Sequence, residues 1–155
     1  AHLKEIEELF RHCIRYSAWE KAVSSGIKPA GNPNVLVIDN IGMLSRLYHY
    51  ATIAYIGGGF GQDGLHNILE AAVYGVPVVH GPVFEKFPEA VDLLEAGGSF
   101  DVENALELEE TCLELLERGE LYREAASAAG KFVQERKGAT QAITQYIQAN
   151  RLLTS

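Results

Sequence analysis

The densest chemical signal is a run of glycines followed by polar residues: Gly57-Gly58-Gly59-Phe60-Gly61-Gln62-Asp63-Gly64, then His66, Asn67 and Glu70. Glycine has no Cβ, so backbone N–H groups in such a run can come close to an anion. A helix predicted over 66–74 would aim its positive N-terminal end at the same place. The segment matches neither common phosphate motif. No Lys-Ser/Thr follows the glycines, as a P-loop needs. Gly59, Gly61 and Gly64 have the G-x-G-x-x-G spacing, but the helix begins too late and no acidic residue ends a strand about 20 residues on. His66 and Glu70 are four apart and share a helix face. A carboxylate one turn into such a helix can accept from two neighbouring hydroxyls, as a ribose presents them. The competing reading is structural, with Asn67 as a cap, Glu70 as a dipole partner and the glycines as plain loop.

Two other strand-to-helix junctions could face a ligand. Asp39, Asn40 and Gly42 form one, where Asn40 can equally cap a helix. His80-Gly81-Pro82 is the other, where His80 lines a crevice or packs in the core. Arg15 and Ser17 end a possible first strand, and Arg15 can pair with a phosphate or carboxylate or stand as a surface arginine. No pair of histidines has metal-ligand spacing, and Asp101-Val102-Glu103 reads as a strand entering a capped helix, so no metal site is expected. No G-x-S-x-G elbow is present, and neither Cys13 nor Cys112 has a partner that suggests a nucleophile.

The elements that must position these residues alternate. Short apolar runs at 13–17, 35–39, 53–56, 76–79 and 99–102 predict strands, the middle ones buried on both faces. Helical spacing predicts helices at 3–12, 43–50, 66–74, 87–95, 104–117, 121–135 and 140–152. Gly75 is the expected left-handed stop of the third. Asn104 and Glu107 form a capping box. Residues 24–34, rich in Pro, Gly and Asn, read as a loop. This order predicts an α/β fold, a Rossmann-like parallel sheet sandwiched by helices with a helical C-terminal tail. Ligands of such folds bind at the carboxyl ends of the strands.

Composition agrees. The chain has 155 residues, 47% of them apolar, enough for a core, and a net charge of −8. That suits one domain over 1–155 and disfavours generic nucleic-acid binding, which rests on clustered Lys and Arg. The acidic excess sits in residues 81–155, while the first half is nearly neutral and holds most of the glycines. Two distant cysteines fit a reducing compartment. No apolar run reaches the ~18 residues of a membrane span. The chain opens inside a helical pattern, which predicts a piece of a larger protein.

Together the motifs resemble a known family. The stretches 39–44 (DNIGML), Gly57-Gly58-Gly59, 66–70 (HNILE), 75–78 (GVPV) and Gly81-Pro82 before a Phe-bearing helix are similar to the C-terminal domain of 3-deoxy-D-manno-oct-2-ulosonic acid (Kdo) transferases. The likeness is strongest over 35–100 and continues weakly to 152. It implies half of a GT-B glycosyltransferase that takes Kdo from CMP-Kdo to a lipid A precursor in lipopolysaccharide synthesis, with inversion and without a nucleotide-bound metal or other cofactor. The alternative within the same architecture is a UDP-sugar-dependent GT-B enzyme or a sugar-nucleotide epimerase.

Carried over by position, Glu70 would hold the ribose hydroxyls. Asn67, with the backbone at Gly58 and Gly59, would hold the phosphate or the Kdo carboxylate, and His66 lies beside them. Arg15 matches the arginine of a family Arg-x-Ser element, and Ile41-Gly42 would lie beside the nucleotide. The general base and acceptor site would belong to a missing N-terminal domain, so no catalytic residue is expected here. That domain would also make most of the membrane contact, at the cytoplasmic face of the bacterial inner membrane, with this fragment itself soluble. Where the family carries Thr-Met-Gly-Glu, this chain has Asn40-Ile41-Gly42-Met43, so the acidic residue's role does not transfer.

Overall fold

The computed structural model describes residues 2–61, 64–150 and 152. Gln62 and Asp63 of the glycine segment, and Arg151 of the predicted last helix, lie outside the described residues. The chain divides into two compact units, Ala1–Leu47 and Tyr48–Ser155.

The first unit runs α1 (His2–Leu9), β1 (Cys13–Arg15), α2 (Tyr16–Ser24), β2 (Val35–Val37) and α3 (Leu44–Leu47). β1 and β2 pair in parallel, with Cys13 opposite Val35 and Arg15 opposite Val37. Helix α2 has no counterpart in the sequence reading, and it takes up Tyr16 and Ser17 from the predicted first strand. Its N-terminal anchor comes from far along the chain. The Ser17 N–H donates to Asp39 Oδ1 at 3.0 Å and the Ser17 hydroxyl to Oδ2 at 2.6 Å. A cap supplied from 22 residues away leaves no local mark in the sequence.

The second unit opens with a 3-10 turn, Tyr48–Tyr50, and continues β3 (Ala54–Ile56), α4 (Leu69–Ala72), β4 (Val78–His80), α5 (Pro88–Glu95), β5 (Ser99–Asp101), α6 (Ala105–Leu116), α7 (Glu120–Glu135) and α8 (Ala139–Ala149). Its sheet has the order β3-β4-β5, all parallel. Successive side chains of a strand point to opposite faces, and β4 uses this to fill two cores. Val78 belongs to a cluster with Ala54, Ile56, Ala72, Leu93 and Ala129. Val79 belongs to another with Val102 and Leu115. Both valines are fully buried, which is why 76–79 is apolar without alternation. Each such side chain contributes roughly 1.5–3 kcal/mol by burial.

The predicted capping box of α6 is present. Asn104 Oδ1 accepts from the N–H groups of Leu106 and Glu107 at 3.0 and 3.1 Å, and Glu107 Oε2 accepts from the Glu103 N–H at 2.8 Å. The helix expected over 66–74 is much shorter, only Leu69–Ala72. Two bonds explain this. The His66 N–H is tied back to the Gly57 carbonyl at 3.3 Å. Asn67 Oδ1 takes the Leu69 N–H at 3.0 Å, a side-chain turn that competes with helix. At the other end Tyr74 and Gly75 make tightened i→i−3 bonds to Ala71 and Ala72, and Gly75 stops the helix at φ +68° as expected.

Candidate functional site

In the second unit the glycine segment leaves β3 and doubles back on itself. Gly58 has φ +97°, and a Cβ there would overlap the Gly64 carbonyl. Only glycine meets both demands. Gly59 lies backbone to backbone on Gly81, at the end of β4: a Cβ on Gly59 would come 2.8–2.9 Å from Gly81 N, Cα and O. The Gly59 carbonyl accepts from the Val83 N–H at 2.9 Å. The loop is therefore built into the ends of two adjacent parallel strands.

His66, Asn67 and Glu70 follow directly. His66 and Asn67 are exposed and Glu70 is half-buried. The Asn67 amide donates to Glu70 Oε1 at 3.3 Å while its Oδ1 holds the Leu69 N–H. The structural reading of Asn67 therefore describes a contact that is present, and a second contact joins its side chain to Glu70. Burial, and after it the charge of the Glu70 carboxylate, raises the pKa of the Tyr48 hydroxyl. A cleft of 400 Å³ opens here, lined by Leu65, His66, Asn67, Phe87 and Glu89 among others. With α4 only four residues long, the helix dipole is smaller than the sequence implied. What the corner presents is therefore mainly loop backbone.

The remaining expected residues, His80 apart, belong to the first unit. Arg15 is held by Glu7 in a two-pronged ion pair, Nε to Oε1 and Nη2 to Oε2, both at 2.7 Å. That pairing lowers the Glu7 pKa and raises that of Arg15. The Ser17 hydroxyl, and then its N–H, hold the Asp39 carboxyl below its usual value. Sequence reasoning missed both pairings, because each partner arrives from a different element. Ile41 is fully exposed and Gly42 exposed with φ +89°. His80 is packed in the core, with no exposed surface.

A parallel sheet covered by helices, with a glycine turn at a strand's carboxyl end leading to polar residues, defines a Rossmann-like half of the GT-B type. No protein-family model matches the chain. It is 34% identical over 131 residues to the 3-deoxy-D-manno-octulosonic acid transferase of Chlamydia pneumoniae, covering 83% of this chain and 29% of that protein. With the enzyme of the same name from Aquifex aeolicus it shares 39% identity over 84 residues, 54% of this chain and 24% of the other. The crystal structure of the C-terminal CMP-Kdo binding domain of WaaA from Acinetobacter baumannii matches with a TM-score of 0.63 and 26% identity, covering 79% of this chain and 61% of that one. The chain belongs to the Kdo transferase family and corresponds to its C-terminal domain. It spans between 24% and 32% of the length of these and a third curated relative.

Proposed function

We propose that this chain is the donor-binding part of a glycosyltransferase that moves Kdo from CMP-Kdo to a lipid A precursor. The observation that carries this reading is the likeness, over 79% of the chain, to a domain described as CMP-Kdo binding. The site geometry supports it with specific groups. The Glu70 carboxylate, oriented by Asn67, accepts from the ribose hydroxyls. Loop N–H groups around Gly58 and Gly59, with Asn67 and the neighbouring His66, hold the phosphate or the Kdo carboxylate. In the first unit, Arg15 and Ile41-Gly42 are proposed donor contacts by their match to the family motifs alone, and Arg15 must then leave or share its bond to Glu7.

In the transfer, an acceptor hydroxyl oxygen bonds to the anomeric carbon of Kdo as the bond from that carbon to the CMP phosphate oxygen breaks, with inversion. The acceptor's proton goes to a general base, and CMP leaves with the bonding electron pair. Fixed N–H donors at the phosphate stabilise that leaving charge. We place the base and the acceptor site in an N-terminal domain of the full-length protein, so residues 1–155 act as one nucleotide-sugar-binding domain that binds donor without transferring it. The reaction as proposed uses no metal and no other cofactor. Among the described residues no helix is long and apolar enough to cross a membrane. We assign membrane contact to the N-terminal domain, at the cytoplasmic face of the inner membrane.

The test is a ligand-observed NMR competition between CMP and UMP on the protein. The proposal expects CMP to win, with a Kd near millimolar, about 4 kcal/mol, since the other domain would complete the site. A preference for UMP would move the assignment to a UDP-sugar enzyme. Binding of neither nucleotide would refute a donor site in this chain.

A further inference from the structure

Behind the glycine loop sits a polar pair with no solvent access. His80, the last residue of β4, is 0% exposed, and Ser99, the first of β5, is 2% exposed. His80 Nδ1 is 2.9 Å from the Gly81 carbonyl oxygen and Nε2 is 3.3 Å from Ser99 Oγ. A carbonyl can only accept, so Nδ1 carries the proton, and in the neutral ring the Ser99 hydroxyl donates to Nε2. The edge-on Phe84 ring, 4.9 Å away between centroids, holds the imidazole's tilt.

A leucine or phenylalanine would fill this space with no polar atoms to satisfy. A buried imidazole is neutral in cost only because both nitrogens are bonded. What the bonds accomplish is visible one residue on. His80 fixes the Gly81 carbonyl, and Gly81 is the surface on which Gly59 rests. The Gly59 carbonyl is in turn bonded to the Val83 N–H at 2.9 Å. In a trans peptide the next N–H, that of Phe60, points the opposite way from that carbonyl. A path of direct contacts thus runs from Ser99 through His80 and Gly81 to the peptide planes of the glycine loop.

We propose that His80, anchored by Ser99, is a positioning residue that fixes the backbone donors of the glycine loop for the donor phosphate. This rests on the reading above that the loop holds that phosphate. Shape alone would not explain the choice of residue, but a directed Nδ1–H does.

The experiment measures CMP and cytidine affinities side by side, by chemical-shift titration of the protein and of three variants. The ratio of the two affinities isolates the phosphate contact. Asparagine places its amide nitrogen near the Nδ1 position, and glutamine places its own near Nε2. His80→Asn should keep the wild-type ratio within about twofold. His80→Gln and Ser99→Ala should lower CMP affinity roughly five- to tenfold, the worth of a misplaced hydrogen bond, and leave cytidine affinity unchanged. If His80→Gln and Ser99→Ala keep the wild-type ratio, or weaken CMP and cytidine alike, His80 is only a core residue and the proposal fails. Ser99→Ala keeps the test decisive if His80→Gln does not fold. A wild-type protein that binds CMP no better than cytidine would instead overturn the phosphate-loop reading itself, and this inference with it.

Discussion

Asn67 and Glu70 are joined side chain to side chain, the Asn67 amide donating to Glu70 Oε1 at 3.3 Å while Asn67 Oδ1 holds the Leu69 N–H. The same asparagine thus shapes the turn after the glycine loop and orients the carboxylate that follows it.

Glu70→Gln should therefore separate binding from folding. Gln can still accept from Asn67, so thermal stability should stay within a few degrees of wild type, corresponding to under about 1 kcal/mol. CMP affinity should fall roughly 10- to 100-fold, the worth of a charged hydrogen bond to a hydroxyl. A melting curve and a CMP titration of the same sample decide it. A variant that unfolds while its folded fraction binds normally would make Glu70 a structural cap.

Two glycines of the loop should respond oppositely to alanine. On Gly59 the new Cβ meets the backbone of Gly81, which has no rotamer with which to yield. Gly59→Ala should cost about 1–3 kcal/mol. On Gly61 nothing lies within 4 Å of the new Cβ, and Gly61→Ala should fall within about 1 kcal/mol of wild type. Urea denaturation gives both values. Equal costs would contradict the close contact of the two strand ends.

Asn104→Ala removes the cap of α6 and its bond to Glu107. The expected loss is about 1 kcal/mol, or a melting point lower by roughly 2–4 °C, with CMP affinity unchanged. A loss of affinity would tie α6 to the site in a way the structure does not show.

Acid should loosen the first unit. Glu7 and Asp39 both have lowered carboxyl pKa values in the folded state, Glu7 through its bonds to Arg15 and Asp39 through those from Ser17. A depressed carboxyl stabilises above its unfolded pKa, and that contribution disappears as pH falls through the folded value. The change thus belongs at and below the ordinary carboxylate range. Trp19, the chain's one tryptophan, lies in α2 two residues after Ser17 and reports on that helix by fluorescence. Asp39→Asn should shift the signal at neutral pH and flatten its acid step. An acid step unchanged by Asp39→Asn would show that the Ser17 contacts do not hold α2.

The fold was legible where side-chain pattern alone determines structure. The run 76–79 reads as a two-sided strand because Val78 and Val79 fill separate cores, and Asn104 with Glu107 caps α6 by purely local bonds. It was not legible where a distant residue decides. Helix α2 depends on Asp39, and the shortened α4 depends on the Gly57 carbonyl holding His66. In the site, the glycine loop and the grouping of Asn67 with Glu70 were visible as spacing. The engagement of Arg15 by Glu7 was not, because nothing local brings α1 to the end of β1. Neither was the burial of His80, since a strand-end histidine has the same sequence signature whether it faces a cleft or Ser99.

CMP held as proposed sits at the glycine loop and the turn after it. Backbone amide shifts of the labelled protein on addition of CMP test this most directly. The largest changes are expected at 57–61 and 64–70, with smaller ones at Gly81 and Val83, and none on the outer face of α7. Shifts centred elsewhere, or none up to saturating CMP, would contradict that placement.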